Sequence, residues 1–85
     1  MMKNGLYKDN FGNVFYYKNN KLHRENGPAV FHVKTGDCFY FIDNKLHRTD
    51  GPAVIYGNGK KEWYLNGTKY SIKEFKRILK LLSFK

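Results

Sequence analysis

Short aromatic runs alternate with pairs of Asn, Asp and Gly along this chain. Phe15-Tyr16-Tyr17-Lys18-Asn19-Asn20, Phe39-Tyr40-Phe41-Ile42-Asp43-Asn44 and Glu62-Trp63-Tyr64-Leu65-Asn66-Gly67 each read as an aromatic strand ending in a two-residue turn. That pairing is a strong β-hairpin signal. The returning strands fall at residues 21–24, 45–48 and 68–70. Asn26-Gly27-Pro28 and Asp50-Gly51-Pro52 then turn the chain. Proline fixes φ and donates no hydrogen bond, so each marks a corner or a strand start. Residues 29–33 and 53–56 run on to Gly36 and Gly59, where the chain reverses again. The pattern predicts an antiparallel β-meander of seven or eight short strands.

The period changes near the C-terminus. Ser71-x-x-Glu74 is a capping box, and Ile72, Phe75, Leu79 and Leu82 follow at helical spacing with Ile78 and Leu81 beside them. These predict one amphipathic helix over 71–84, anchored on the sheet by Ile72, Phe75, Leu79 and Leu82. The fold class is therefore mainly β, a meander of repeated hairpins with one C-terminal helix. The chain reads as a single domain, 1–85, with the repeat over 14–70.

The hairpins lie within a repeat. Lys21-Leu22-His23-Arg24-Glu25-Asn26-Gly27-Pro28-Ala29-Val30 returns as Lys45-Leu46-His47-Arg48-Thr49-Asp50-Gly51-Pro52-Ala53-Val54, 24 residues later, with two of ten positions changed. A period in that range marks an architecture whose units need their neighbours to bury their apolar faces. Two-residue turns pair Tyr17 with Leu22, Phe41 with Leu46 and Trp63 with Tyr70, and bring Tyr16 opposite His23 and Tyr40 opposite His47. Strict alternation then puts Tyr16, His23, Tyr40, His47 and Trp63 on one face. Phe15, Leu22, Arg24, Leu46 and Arg48 fall on the other, with Leu22 and Leu46 in the core. Both faces are apolar at their centres. One helix of about 12 residues, about 18 Å long, covers little of a sheet about 34 Å wide. Either the sheet bends sharply at the Gly-Pro corners and folds over itself, or the uncovered face is open to a partner or to a second copy of the chain.

Composition narrows the function. The chain has 85 residues, with 16 basic and 7 acidic, a net charge of +9. Eight basic and five acidic residues lie at positions 1–56, and eight and two at 57–85, so +6 of the charge follows residue 56. No run of about 18 apolar residues predicts a membrane span, and the N-terminal residues lack a secretory apolar stretch. A single cysteine, Cys38, excludes an internal disulfide and fits a reducing cytoplasm. Lysine outnumbers arginine 13 to 3 and asparagine occurs nine times, a bias common in AT-rich genomes.

The pattern Trp/Tyr-Tyr-x-Asn-Gly-x-x-His-Arg-x-x-Gly-Pro-Ala resembles the His-Arg/Gly-Pro-Ala repeats of small proteins from large tailed phages, some bacteria and giant viruses. It is distantly similar to MORN-type β-hairpin repeats. The resemblance covers about residues 14–70. It implies a small accessory protein of the infected host cytoplasm that binds and alters a host factor, in host takeover or anti-defence. The MORN likeness implies scaffolding or lipid contact. The histidine, the proline and the C-terminal helix depart from MORN.

Three constellations are candidates for chemistry. His23-Arg24 and His47-Arg48, with Tyr16, Tyr40 and Trp63, form a possible repeat site able to hold a phosphate or do acid–base work. Repeated residues more often meet the same structural demand in each copy. On that reading His23 stacks on Tyr16 and His47 on Tyr40. Arg24 and Arg48 then lie over Phe15 and Phe39, or bond Glu25 and Asp50. No carboxylate is duplicated to orient an imidazole, so no catalytic residue is assigned. His23, His32, His47 and Cys38 lack metal-ligand spacing, so no metal or cofactor is expected. Cys38 reads as a small packed residue.

Lys73, Lys76, Arg77 and Lys80 recur at i, i+3, i+4 and i+7, one basic stripe on the helix. The expected function is a non-enzymatic protein that docks on an acidic host protein through this stripe. The alternative is a nucleic-acid-binding protein that adds exposed aromatics as stacking platforms.

Overall fold

The computed structural model describes residues 2–83, and it is mainly β. The strands are β1 (Gly5–Lys8), β2 (Val14–Lys18), β3 (Lys21–Leu22), β4 (Val30–His32) and β5 (Asp37–Phe39). They continue with β6 (Phe41–Ile42), β7 (Lys45–Leu46), β8 (Val54–Ile55), β9 (Lys61–Leu65) and β10 (Thr68–Tyr70), and helix α1 (Ile72–Leu82) follows them. Every sheet pairing is antiparallel. The main sheet runs β1-β2-β4-β5-β8-β9-β10 with β3 beside β2, and β6 pairs β7 separately.

The hairpin registers follow from the turns. Asn19 and Asn20, Asp43 and Asn44, and Asn66 and Gly67 all have positive φ. This is the requirement of type I′ turns, whose twist suits antiparallel strands. They place Tyr17 against Leu22, Phe41 against Leu46 and Trp63 against Tyr70. Among the described residues the meander has ten strands rather than the seven or eight expected. One addition is β1, which pairs Leu6 with Tyr16 and Tyr7 with Phe15 along the edge. The other arises because the second aromatic strand breaks at Tyr40 into β5 and β6.

At that break the sheet divides. Arg24 N–H donates to Phe41 O (3.1 Å) and Asn44 N–H to Leu22 O (2.9 Å), joining β3 to the next hairpin. Arg48 N–H to Tyr64 O (3.3 Å) and Gly67 N–H to Leu46 O (2.8 Å) repeat the junction one copy on. The Gly-Pro corners feed the other branch. Tyr16 N–H donates to Ala29 O and Tyr40 N–H to Ala53 O.

The core is small and sits just after these corners. Ala29, Val30, Ala53, Val54, Leu65 and Phe75 are buried. Leu22 and Leu46, expected in the core, are only half-buried. Their strands are two residues long, and Leu22 borders an apolar hollow of about 210 Å³ with Val30, His32, Phe39 and Phe41.

Helix α1 closes the β9–β10 end of the sheet. Ser71 Oγ accepts from Glu74 N–H while the Glu74 carboxylate accepts from Ser71 N–H, completing the capping box. Phe75 is buried and Ile78 and Leu79 are half-buried. Ile72 and Leu82, expected as anchors, are exposed at 44% and 62%. The apolar arc is wider than the two-strand end beneath it. Phe84, at the expected helix end, lies outside the described residues. Eleven residues span about 16 Å of a molecule measuring 42 × 32 × 18 Å. At the other edge Leu6, Tyr7 and Phe11 stay exposed.

One glycine is fixed by backbone contact. A Cβ on Gly57 would fall 1.5 Å from Thr35 O. The approach lets Gly57 N–H reach Asp37 Oδ1 at 2.8 Å, as Val33 N–H reaches Asn13 Oδ1 at 3.0 Å one copy earlier. Gly57→Ala should therefore destabilise by at least about 3 kcal/mol. Gly59→Ala meets nothing within 4 Å but keeps a φ of +94°, and should cost about 1–2 kcal/mol. Urea unfolding of the two variants checks the ranking, and equal losses would refute the clash.

Candidate functional site

The His-Arg pairs are built into the repeat by bonds that recur from copy to copy. Arg24 lies over the Tyr16 ring, its guanidinium carbon 4.0 Å from the centroid, and Arg48 lies over Tyr40 at 4.1 Å. Arg24 Nη1 donates to Pro28 O (3.2 Å) and Arg48 Nη1 to Pro52 O (3.1 Å). Each guanidinium is thus held between an aromatic face and the Gly-Pro corner, where charge, stacking and hydrogen bonding act together. A Cβ on Gly27 or Gly51 would stand 3.0 or 2.9 Å from the guanidinium carbon, so the corner glycines leave it room.

This corrects the expected stacking on Phe15 and Phe39. Strands β3 and β7 end at Leu22 and Leu46, so alternation no longer governs residues 24 and 48. Both arginines swing over the tyrosine face. Phe39 packs instead against His32 and Tyr56, with centroids 5.4 and 6.4 Å away.

The histidines tie each copy to the next. Asp43 N–H donates to His23 Nδ1 (3.2 Å) and Asn66 N–H to His47 Nδ1 (2.9 Å). Asn4 does the same one copy earlier, its Oδ1 accepting from Asn19 N–H at 2.9 Å. An accepting Nδ1 assigns the neutral ring's proton to Nε2. His23 Nε2 meets Glu25 Oε2 at 3.2 Å, while Asp43 Oδ1 lies 3.2 Å from Nδ1. The expected stacking of each histidine on its tyrosine is replaced by these bonds.

His23, Arg24, His47 and Arg48 nevertheless share one open groove of about 640 Å³. Tyr40 and Ile42 also line it. Its rim carries Glu25, Asn26, Thr49 and Asp50, residues outside the sequence-based site. The available signal was that 25/49 and 26/50 are the two positions at which the repeated block differs. Tyr16 underlies Arg24 without lining the groove. Trp63 has no arginine over it, because Ser71 stands at the third arginine position and caps α1 instead.

The basic stripe is separate from this groove. Lys73, Lys76, Arg77 and Lys80 are all exposed on α1, and no ion pair to them occurs among the described residues. By contrast, Lys69 pairs with Glu62 at 3.2 Å. Burial and then the Asp37 charge push the Cys38 thiol upward, away from nucleophilic thiolate character. Among the described residues no three His, Cys, Asp or Glu side chains form a metal-binding group. No helix there is long and apolar enough to cross a membrane. No protein-family model, curated protein or solved structure matches the chain.

Arg48 Nε donates to Asp50 Oδ1 at 2.8 Å. That bond, followed by the guanidinium charge, holds the Asp50 carboxyl below the usual carboxylate range. A depressed folded-state value means the pair's contribution is present at neutral pH and fades as pH falls through that value. An NMR titration should find Asp50 more acidic than an unperturbed aspartate, with Arg48→Gln restoring the ordinary value. An unchanged Asp50 value in that variant would separate the shift from Arg48.

Proposed function

We propose that this chain is a non-enzymatic docking module that binds an acidic protein surface through α1. The observation that carries the reading is the stripe of Lys73, Lys76, Arg77 and Lys80, exposed and without ion-pair partners among the described residues. One turn after Arg77 and flanking the stripe, Leu81 is 65% exposed, and Leu82, on the apolar face at the helix end, is 62% exposed. Apolar positions next to uncompensated charge suit a folded acidic partner, which can desolvate the former and neutralise the latter. A host protein as partner accords with what the His-Arg/Gly-Pro-Ala resemblance implies.

Nucleic acid is the weaker reading because the aromatics are misplaced for it. Base stacking beside a basic stripe needs open rings. Trp63, Tyr64 and Tyr70, near α1, are half-buried. The exposed aromatics among the described residues, Tyr7 and Phe11, lie at the opposite end of the sheet order.

The test reverses the stripe with Lys73→Glu, Lys76→Glu and Lys80→Glu, with folding confirmed by circular dichroism. For an acidic protein partner captured by the native chain, association should slow by about tenfold or more and depend steeply on salt. The dissociation rate should change less. A log–log salt slope of roughly −3 on single-stranded DNA, with no protein captured, would favour nucleic acid. Unchanged capture by the folded variant would remove α1 as the docking element.

A further inference from the structure

The two copies of the repeated block fill their groove in complementary ways. In the first, the Glu25 carboxylate meets His23 Nε2 at 3.2 Å, while Arg24 has Asn26 at the position matching Asp50. In the second, the Asp50 carboxylate meets Arg48 Nε at 2.8 Å, while His47 has Thr49 at the position matching Glu25. Each copy therefore satisfies one donor with its own acid and leaves the other open. The open donors are Arg24 Nε and His47 Nε2, and neither has a hydrogen-bond partner among the described residues. No side-chain nitrogen is both buried and unpartnered there, so both donors are accessible to solvent. Both side chains line the one groove of about 640 Å³.

From this we infer that the groove is a receptor for an acidic peptide segment, whose two carboxylates take the places left by Glu25 and Asp50 in the opposite copies. The chain itself displays the two contacts the ligand would reproduce, carboxylate on imidazole Nε2–H and carboxylate on guanidinium Nε–H. Both donors are already oriented: His47 by Asn66 N–H on Nδ1, Arg24 by the Tyr16 ring and Pro28 O. Little ordering remains for binding to cost. Arg24 and Arg48 are balanced by Glu25 and Asp50 around the rim, which disfavours a dense polyanion and favours two separate carboxylates. The site is distinct from the helix stripe and does not depend on it.

The test uses blocked hexapeptides carrying two glutamates one to four residues apart, with glutamine-matched controls, titrated into the labelled protein. One glutamate peptide should shift the Arg24 Nε and His47 ring signals saturably, and its glutamine control should not. Because His47 also holds the Asn66 turn, truncating it confounds binding with folding. The informative variants instead supply the missing acids. Asn26→Asp and Thr49→Glu should each weaken binding by about tenfold, the loss of one charge-assisted bond, and together abolish it. Asn10→Asp with Asn58→Asp, the same charge change outside the groove, should leave binding unaltered, as should the α1 charge reversal. No saturable shift with any glutamate peptide, equal weakening by the Asn10/Asn58 control, or loss on α1 reversal would overturn the assignment. Displacement of the peptide by lower concentrations of inorganic phosphate would also overturn it, in favour of a phosphate site.

Discussion

The hairpin tips depend on acceptors they do not themselves contain. A type I′ tip turns its first N–H away from its own ladder, and an unpaired backbone donor is costly wherever water is restricted. Here the acceptor comes from the preceding copy: Asn4 for Asn19, His23 for Asp43 and His47 for Asn66. The next tip residue completes the junction through a backbone carbonyl, of Lys3, Leu22 or Leu46. Each copy is thereby registered on the one before it. This nearest-neighbour coupling is what allows strands of two or three residues to persist, since their own ladders supply too few bonds. Histidine suits the position because it accepts on one nitrogen and still presents a donor on the other.

An array of this kind needs different ends. The first copy docks on Lys3 and Asn4, which precede β1 and stand where Leu22 and His23 stand later. The last copy has no following tip to hold. There Ser71 replaces the arginine and opens α1, whose Phe75 seals the final hairpin. Four of the eight basic residues after residue 56, Lys73, Lys76, Arg77 and Lys80, are exposed on this helix. This keeps that face of the array end polar, apart from the exposed Leu81 and Leu82.

Legibility in the sequence ended where the strands ended. The turn pairs Asn19-Asn20 and Asp43-Asn44 encode positive φ locally, so the registers of Tyr17 with Leu22 and Phe41 with Leu46 could be read directly. The capping box was readable for the same reason. Arg24 and Arg48 were placed on the wrong face because alternation was extended past Leu22 and Leu46, beyond the last paired residues. β1 was invisible because Gly5 opens it and only Leu6 and Tyr7 carry strand propensity. Asn4 could not be recognised as the equivalent of His23, since the two share an acceptor geometry and not a residue type. The groove was half legible: its His-Arg walls were named, while its acidic rim appeared only as two mismatches in an otherwise repeated block.

The two polar surfaces differ in how they can use charge. On α1 the cations are long, hydrated and free to move, so they act at a distance, lose strength as salt rises, and bear mainly on how fast a partner arrives. In the groove the donors are short of freedom. Arg24 is pinned by a ring and a carbonyl, and His47 by a backbone N–H. A contact there is made at hydrogen-bond range, where geometry decides which ligand fits and how long it stays. Repetition explains why the second kind of site arises between copies and not within one. A single hairpin can satisfy its own arginine or its own histidine from the adjoining corner, but two copies that diverge at the same corner leave one donor each facing a common space.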